Sequence, residues 1–364
     1  MKYIKCSLPE YPVVRDMWDV LSSEERPIVV YGMGNGADKL IERFNKYGIK
    51  ISDFFASDGF VRGHFFHGMR VKSFSEIKET YRDFVIVLSF ASNRTEVIEM
   101  LADIDSKHEM YVPDMPVAGE EYFDREFYNT HYEEIASAYN LFADEESKNA
   151  YANIINYKLT GKMKYLMDAY SDKDELYNEL NRSEIKSYID AGAYNGDTAK
   201  EAIEYFPRLR EIIAIEPDPK NYKKLVKFSE TVTSPKISAV NAAVWSDVGG
   251  GEFLASGNRN SSVSSTASYQ HKDTEVELIS IDSLEASPDY IKYDVEGAEL
   301  DALIGSKNTI ISHKPTMLVS LYHRSRDIFE IPNYIGREYP FYKMKLRRLR
   351  CVPAWEINLL LFGV

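Results

Sequence analysis

Cysteine is nearly absent: Cys6 and Cys351 are the only two in 364 residues. Standing at opposite ends of the chain, they read as reduced thiols of a cytoplasmic protein, not as a disulfide. No apolar run reaches the roughly 20 residues of a membrane span. The opening Met1-Lys2-Tyr3-Ile4-Lys5 also lacks an apolar stretch of signal-peptide length. A cytoplasmic location and no membrane partner are therefore expected. Excess positive charge is missing too, since 44 Lys and Arg face 57 Asp and Glu, a net charge of −13. Phosphate backbones need a broad positive surface, which excludes nucleic acid as the main partner. There is no internal repeat of solenoid length. What remains is an ordinary globular composition, 44% hydrophobic and 28% charged, in a chain long enough for two cores.

Three zones follow from the patterning, and together they predict an α/β protein. Residues 1–115 alternate short apolar strands with helices, beginning with Ile28-Val29-Val30-Tyr31 and including Phe84 to Phe90. This is a Rossmann-like, nucleotide-binding-like pattern. Residues 116–185 show helical spacing and no convincing strand, as a helical connector would. Residues 186–364 return to strand–helix alternation, with strands expected at Ser187–Asp190, Ile212–Ile215, Lys236–Asn241, Tyr290–Tyr293 and Thr316–Leu321. Two final strands, Phe341–Leu349 and Ile357–Phe362, have no helix between them. The biased stretch from Ser256 to Ser268 is expected to be a mobile loop.

Chemistry concentrates at the strand ends of the third zone. Asp190-Ala191-Gly192-Ala193-Tyr194-Asn195-Gly196-Asp197-Thr198 joins a strand to a helix through Gly-x-x-x-Gly. In a doubly wound sheet the ligand sits at the carboxyl ends of the strands, and glycines let the backbone approach it. Asp190 could bind an amino-acid moiety, and Asp197 and Thr198 stand where a helix needs capping groups. The next strand ends in Glu216-Pro217, a carboxylate placed to accept both ribose hydroxyls of an adenosine. A nicotinamide site would share that glutamate but would carry Gly-x-Gly-x-x-Gly before it. Asn241 and Ala242 end a third strand with small residues that leave room for an adenine. The fourth strand delivers Asp294, Glu296 and Glu299 to the same edge. Glu299 also suits a role in opening the next helix.

These segments, with Ile279 to Leu284, Lys292 to Glu299 and Tyr322-His323 before Asp327-Ile328, occur in the order seen in one family. Residues 186–364 resemble the FkbM family of S-adenosylmethionine-dependent methyltransferases. The resemblance implies a class I, Rossmann-like methyltransferase domain that binds S-adenosyl-L-methionine and methylates a hydroxyl, often on a sugar or a glycosylated metabolite. Its cofactor residues would be Asp190, Gly192, Tyr194, Asn195, Gly196, Asp197, Thr198, Glu216, Pro217, Asn241, Ala242, Asp294 and Glu296. His323 follows the fifth strand and is expected to be the general base, with Asp294 orienting it or the acceptor. A sulfonium carries its own leaving group, so no metal is called for, although Asp294, Glu299 and His323 could bind one. The chain departs from the family near its end. Members commonly have an Arg-His-rich strand and then Glu-Thr, where this chain reads Leu346-Arg347-Arg348-Leu349-Arg350-Cys351 and Trp355-Glu356-Ile357. The substrate side is therefore open.

In the first zone, Gly32-Met33-Gly34-Asn35-Gly36-Ala37 fits Gly-x-Gly-x-x-Ala between a strand and a helix. Gly32, Gly34, Asn35 and Asp58 are the candidate nucleotide contacts. The turn is also similar to the N-terminal domains of sugar acyltransferases that bind nucleotide sugars. A degenerate module kept for packing or homodimerisation is the other reading. A dehydrogenase is a weaker one, because no Tyr-x-x-x-Lys element follows. Lys343, Lys345, Arg347, Arg348 and Arg350 read as a solvated or edge-protecting face, or else as attraction for an anionic, nucleotide-linked acceptor. The function expected is O-methylation of a small-molecule or glycan acceptor. The rival is a non-catalytic protein that binds nucleotide or S-adenosylmethionine as a sensor or scaffold.

Overall fold

A computed structural model describes residues 5–61, 63–180, 183–254, 262–264 and 274–363. Two parallel sheets organise it. In the N-terminal half the strands are β1 (Ile28–Tyr31), β2 (Ile51–Ala56), the small hairpin β3 (Phe65–Phe66) and β4 (Met69–Arg70), then β5 (Lys72–Ser73), β6 (Val85–Leu88) and β7 (Met110–Tyr111). The five-stranded sheet runs β5-β2-β1-β6-β7, parallel throughout. β1 and β6 are buried along their whole length, as continuous apolar runs must be when helices cover both faces. The helix Asn35–Tyr47 ends where Gly48 takes a left-handed conformation, the cap that glycine adopts without a Cβ penalty.

Residues 125–179 form five helices, from Arg125–Thr130 to Lys173–Glu179. The C-terminal strands are β8 (Ser187–Ala191), β9 (Glu211–Ile215), β10 (Lys236–Val240), β11 (Ala243–Val244), β12 (Gly249–Leu254), β13 (Ser262–Ser264), β14 (Thr274–Ile279), β15 (Tyr290–Tyr293), β16 (Thr316–Ser320), β17 (Tyr342–Arg348) and β18 (Ile357–Gly363). The main sheet is seven-stranded, in the order β10-β9-β8-β15-β16-β18-β17. It is parallel as far as β16, and β18 and β17 close it antiparallel. The order reverses between β8 and β15, which leaves a crevice at their carboxyl ends. A smaller sheet, β11-β14-β12-β13, was not anticipated from the sequence. Most of the expected loop 256–268 lies outside the described residues; the described part, Ser262–Ser264, is a strand.

One apolar core runs through both halves, from Val29 and Tyr31 through Tyr151 and Ile155 to Ile189, Ile291 and Leu359. Backbone bonds add to it: Ser92 and Val352 exchange N–H···O contacts of 2.7 and 2.9 Å. The basic run near the end is a solvated, edge-protecting face only in part: Lys343 on the edge strand β17 is exposed and Lys345 and Arg350 are half-buried, but the other two arginines are not. Arg347 is 2% exposed and meets Glu179, Asp144 and Glu146 at 2.8, 3.2 and 3.3 Å. Arg348 is equally buried and donates to the carbonyls of Leu166 and Cys351. Both arginines hold the last strands to the helical segment, where a buried cation requires partners. Cys6 and Cys351 are not joined in a disulfide. Among the described residues no helix is long and apolar enough to cross a membrane.

Candidate active site

The crevice at the ends of β8, β9, β15 and β16 is a cavity of about 360 Å³, within the range of small-molecule sites. Gly192, at φ +90°, lets the turn after β8 pass directly over the chain after β15. Asp190 is fully buried. One of its oxygens accepts the Thr198 hydroxyl, while Oδ1 has no partner, and burial pushes its carboxyl upward. Asn195 accepts the Asp197 N–H at 3.2 Å, and Gly196 begins the helix Asp197–Tyr205 without a side-chain cap. The turn thus places Gly192, Tyr194, Asp197 and Thr198 on the cavity wall, while Asp190, Asn195 and Gly196 lie behind it and are not among the lining residues.

Glu216 stands at the tip of β9, where Pro217 ends the strand. Its two oxygens accept N–H groups from Asp218 and Tyr194 at 2.9 and 2.8 Å, which fixes the carboxylate at the cavity wall. Burial raises its pKa to about 7. Asn241 lies behind this group and not on the wall, donating its amide to the carbonyls of Glu216 and Pro217 at 2.8 and 3.1 Å. Ala242, Ala243 and Val244 form the wall instead, and helix Pro219–Thr231 starts from an Asp218 cap.

Past β15 lies a dense ionic cluster. Asp294 accepts from Lys292 Nζ at 2.7 Å, Ser320 Oγ at 2.9 Å and Tyr322 OH at 3.1 Å. Burial opposes its charge, but Lys292 and His323 outweigh that and hold the carboxyl well below the usual range. Glu296, in a left-handed conformation at φ +55°, has its pKa lifted to about 8 by burial. Glu299 accepts the N–H groups of Val295 and Gly297 at 2.8 and 3.1 Å and opens the helix Glu299–Ile304. His323 is enclosed by all three carboxylates: Nδ1 is 2.9 Å from Glu299, and Nε2 is 3.4 and 3.6 Å from Glu296 and Asp294. Burial disfavours the imidazolium, yet these carboxylates outweigh it and raise the pKa to about 10. The neutral, cavity-facing imidazole expected from the sequence is thus replaced by a fully buried one that holds its proton. Asp294 and Glu296 reach the cavity wall; His323 is not among the residues that line it.

The sequence reading passed over several wall residues. Lys292 is a cation inside an otherwise apolar strand, a signal in plain view. Tyr322, Trp355, Asn93 and Val117 also line the cavity, the last two from well before β8. A second cavity, of about 220 Å³, lies beside the glycine turn of β1 and shares Val117 and Trp355 with the first. Asn35, Lys39 and Ser89 are its polar wall residues; Met33, Phe90, Val112, Met115 and Pro353 make most of the rest apolar. A Cβ on Gly36 would meet the Ser89 carbonyl at 2.1 Å, and one on Gly32 would meet the Ser89 hydroxyl at 2.7 Å. Those two glycines allow helix and strand to pack, whereas Gly34 faces open space. Asp58 sits away from this cavity, in a turn where Ser75 donates its N–H at 3.1 Å and its hydroxyl.

Residues 190–342 match the FkbM methyltransferase domain family. The same residues supply the turn after β8, the acidic tip of β9 and the cluster after β15. The crystal structure of methyltransferase FkbM from Methylobacillus flagellatus KT is similar over 98% of this chain and 95% of that one, with a TM-score of 0.68 and 18% identity. The shared fold thus extends through the N-terminal sheet. Precorrin-6y C5,15-methyltransferase from Geobacter metallireducens covers 54% of this chain and 93% of its own, with a TM-score of 0.33 and 11% identity. Aeropyrum pernix fibrillarin, solved with bound S-adenosyl-L-methionine, covers 51% and 69%, with a TM-score of 0.31 and 15% identity. No curated protein sequence matches the chain.

Proposed function

We propose that this FkbM-domain protein transfers a methyl group from S-adenosyl-L-methionine to a hydroxyl of a sugar, glycan or glycosylated metabolite. The observation that carries the reading is the strand-tip carboxylate of Glu216 on the wall of one cavity, beside the glycine turn that contributes Gly192, Tyr194, Asp197 and Thr198 to the same wall. Glu216 suits a ribose, having lone pairs to spare beyond its two N–H donors. Asp190, buried behind the wall, holds the turn by accepting the Thr198 hydroxyl. Ala242 and Ala243 leave an apolar slot for a flat ring. When bound, the cofactor supplies an electrophilic methyl group together with its own leaving group.

The chain's contribution is then alignment. Asp294 and Glu296 face the space beyond the cofactor residues, where an acceptor hydroxyl can hydrogen-bond to them. Lys292, Ser320 and Tyr322 hold Asp294 in one orientation. His323 serves this arrangement as a charged brace between three carboxylates. The acceptor's remaining part would lie against Trp355, Val117 and Asn93 and reach toward the second cavity. The apolar lining there suits the face of a sugar ring or an aglycone better than a diphosphate, which would need more than Lys39.

Calorimetry with S-adenosylmethionine, followed by S-adenosylhomocysteine release with a panel of nucleotide sugars and oligosaccharides, tests the reading. Tight cofactor binding with no turnover on any acceptor would favour the sensor reading instead.

A further inference from the structure

The glycine turn after β1 borders the second cavity, of about 220 Å³. We infer that this cavity is a pocket for an aromatic ring, the one carried by the methyl acceptor, so that the acceptor is a sugar bearing an aromatic aglycone. The inference deepens the proposed methyl transfer and rests on it for the fate of the hydroxyl; binding of the ring does not depend on it.

The lining sets the chemistry. Met33, Leu88, Phe90, Val112 and Met115 supply much of it. Ser89 donates its hydroxyl proton to the Tyr31 carbonyl at 3.0 Å, and Lys39 Nζ donates to the Pro116 carbonyl at 3.2 Å. A sugar hydroxyl or a phosphate placed here would lose water and find few partners. Thioethers pack favourably against ring edges and adapt to their shape, and Phe90 adds an aromatic contact. An apolar cavity of about 150 Å³ holds a benzene ring, so this one has room for a ring with a short substituent.

Placement names the occupant. Val117 and Trp355 belong to the walls of both cavities. The N–H groups of Val117 and Ala118 donate to the His323 carbonyl at 3.1 and 2.8 Å, just past β16. Trp355 follows Val352, whose backbone is bonded to Ser92. The boundary between the cavities is therefore anchored in both halves of the molecule. A ligand that passes it has one end beside Asp294 and Glu296 and the other among Met33, Phe90 and Met115. The indole N–H of Trp355 is buried and has no acceptor among the described residues; the oxygen that links a ring to a sugar would supply one.

The test is fluorine NMR on the full-length protein. 4-Fluorobenzyl alcohol, added without cofactor, should bind, and saturating S-adenosylhomocysteine should not displace it. Met115→Trp fills the cavity and Met33→Gln puts an amide into its lining. Each should weaken the binding roughly tenfold or more and leave S-adenosylmethionine affinity unchanged. Across a panel of sugars, 4-fluorophenyl glycosides should bind roughly tenfold or more tighter than the methyl glycosides, and both variants should erase the difference. Circular dichroism monitors folding; if Met115→Trp does not fold, Met33→Gln decides. Four results would each overturn the inference: no binding of the alcohol, its displacement by S-adenosylhomocysteine, binding that both variants leave unchanged, or equal affinity for aryl and methyl glycosides. Release of S-adenosylhomocysteine from the methyl donor is scored separately. Ring binding without release on any acceptor keeps the ring pocket and sinks the methyl-transfer reading; release that is indifferent to the aryl group does the reverse.

Discussion

Gly192 and Asp294 touch through backbone alone: a Cβ on Gly192 would lie 1.9 Å from the carbonyl oxygen of Asp294. The contact holds the turn after β8 against the chain leaving β15, so the cofactor turn and the ionic cluster are placed relative to each other. Gly192→Ala must push them apart, in addition to straining a backbone at φ +90°. The expected result is at least a tenfold loss of S-adenosylmethionine affinity by calorimetry and a clear fall in Tm. Overpacking of this kind typically costs about 1–3 kcal/mol. Gly34→Ala is the comparison, since its φ is also positive but its Cβ would meet nothing. It should cost about 1–2 kcal/mol from backbone strain and leave cofactor affinity intact.

Glu216 predicts a pH dependence. Burial raises its pKa from 4.5 to about 7, and ribose hydroxyls bind the carboxylate better than the acid. Cofactor affinity should therefore be full above about pH 7 and fall by up to tenfold per pH unit below it. Glu216→Gln should flatten that profile and weaken binding above pH 7. The sign for stability is opposite. The folded protein holds this proton more tightly than the unfolded chain, so Glu216's contribution is present below pH 4.5 and is lost as pH rises through about 7. Calorimetric titrations from pH 5.5 to 8.5 check the affinity; a profile of the same slope in Glu216→Gln would assign it to another group.

Arg347→Ala tests the buried ionic brace. Removal would leave Glu146 without this cation, Asp144 and Glu179 with Lys345 alone, and Ser147 without a donor from the guanidinium. Breaking a buried pair from one side costs about 3–5 kcal/mol, with the lower end expected because the carboxylates are partly exposed. Chemical denaturation should show the midpoint falling, while cofactor affinity of the folded fraction stays within a few-fold.

Trp355→Ala separates the donor side from the acceptor side. Trp355 lines both cavities and offers a flat ring for a sugar face. KM for an accepted glycan or nucleotide sugar should rise severalfold, with S-adenosylmethionine affinity changed little. A change confined to cofactor affinity would put Trp355 on the donor side.

Strand-tip chemistry was legible because strand, tip and helix start are contiguous. Glu216 is flanked by an apolar run and Pro217, and Gly192 is named by its turn. His323 shows the limit. Its position after β16 could be read, but its proton affinity depends on Glu296 and Glu299, which come from another crossover. Arg347 and Arg348 show the same limit: a basic run looks solvent-facing until helices from far upstream supply carboxylates and carbonyls to bury it. Asn241 stood in the right segment, yet its side chain points back at the β9 backbone, a direction that spacing alone does not encode. The sheet formed by β11, β14, β12 and β13 was missed because its strands are short and bracket a stretch of serine and glycine that reads as loop.

The paired backbone bonds of Ser92 and Val352 join two loops far apart in the sequence, the first made well before the second. During translation N-terminal segments generally begin to fold first. The Phe90–Arg94 region must then wait until residue 352 has been made before it meets its partner. Asn93 lines the larger of the two described cavities from this loop, and Trp355 follows Val352 by three residues. The wall proposed for the acceptor is thus completed only after residue 352 is made, and a nascent chain stopped before it would lack that wall even with its glycine turns already formed.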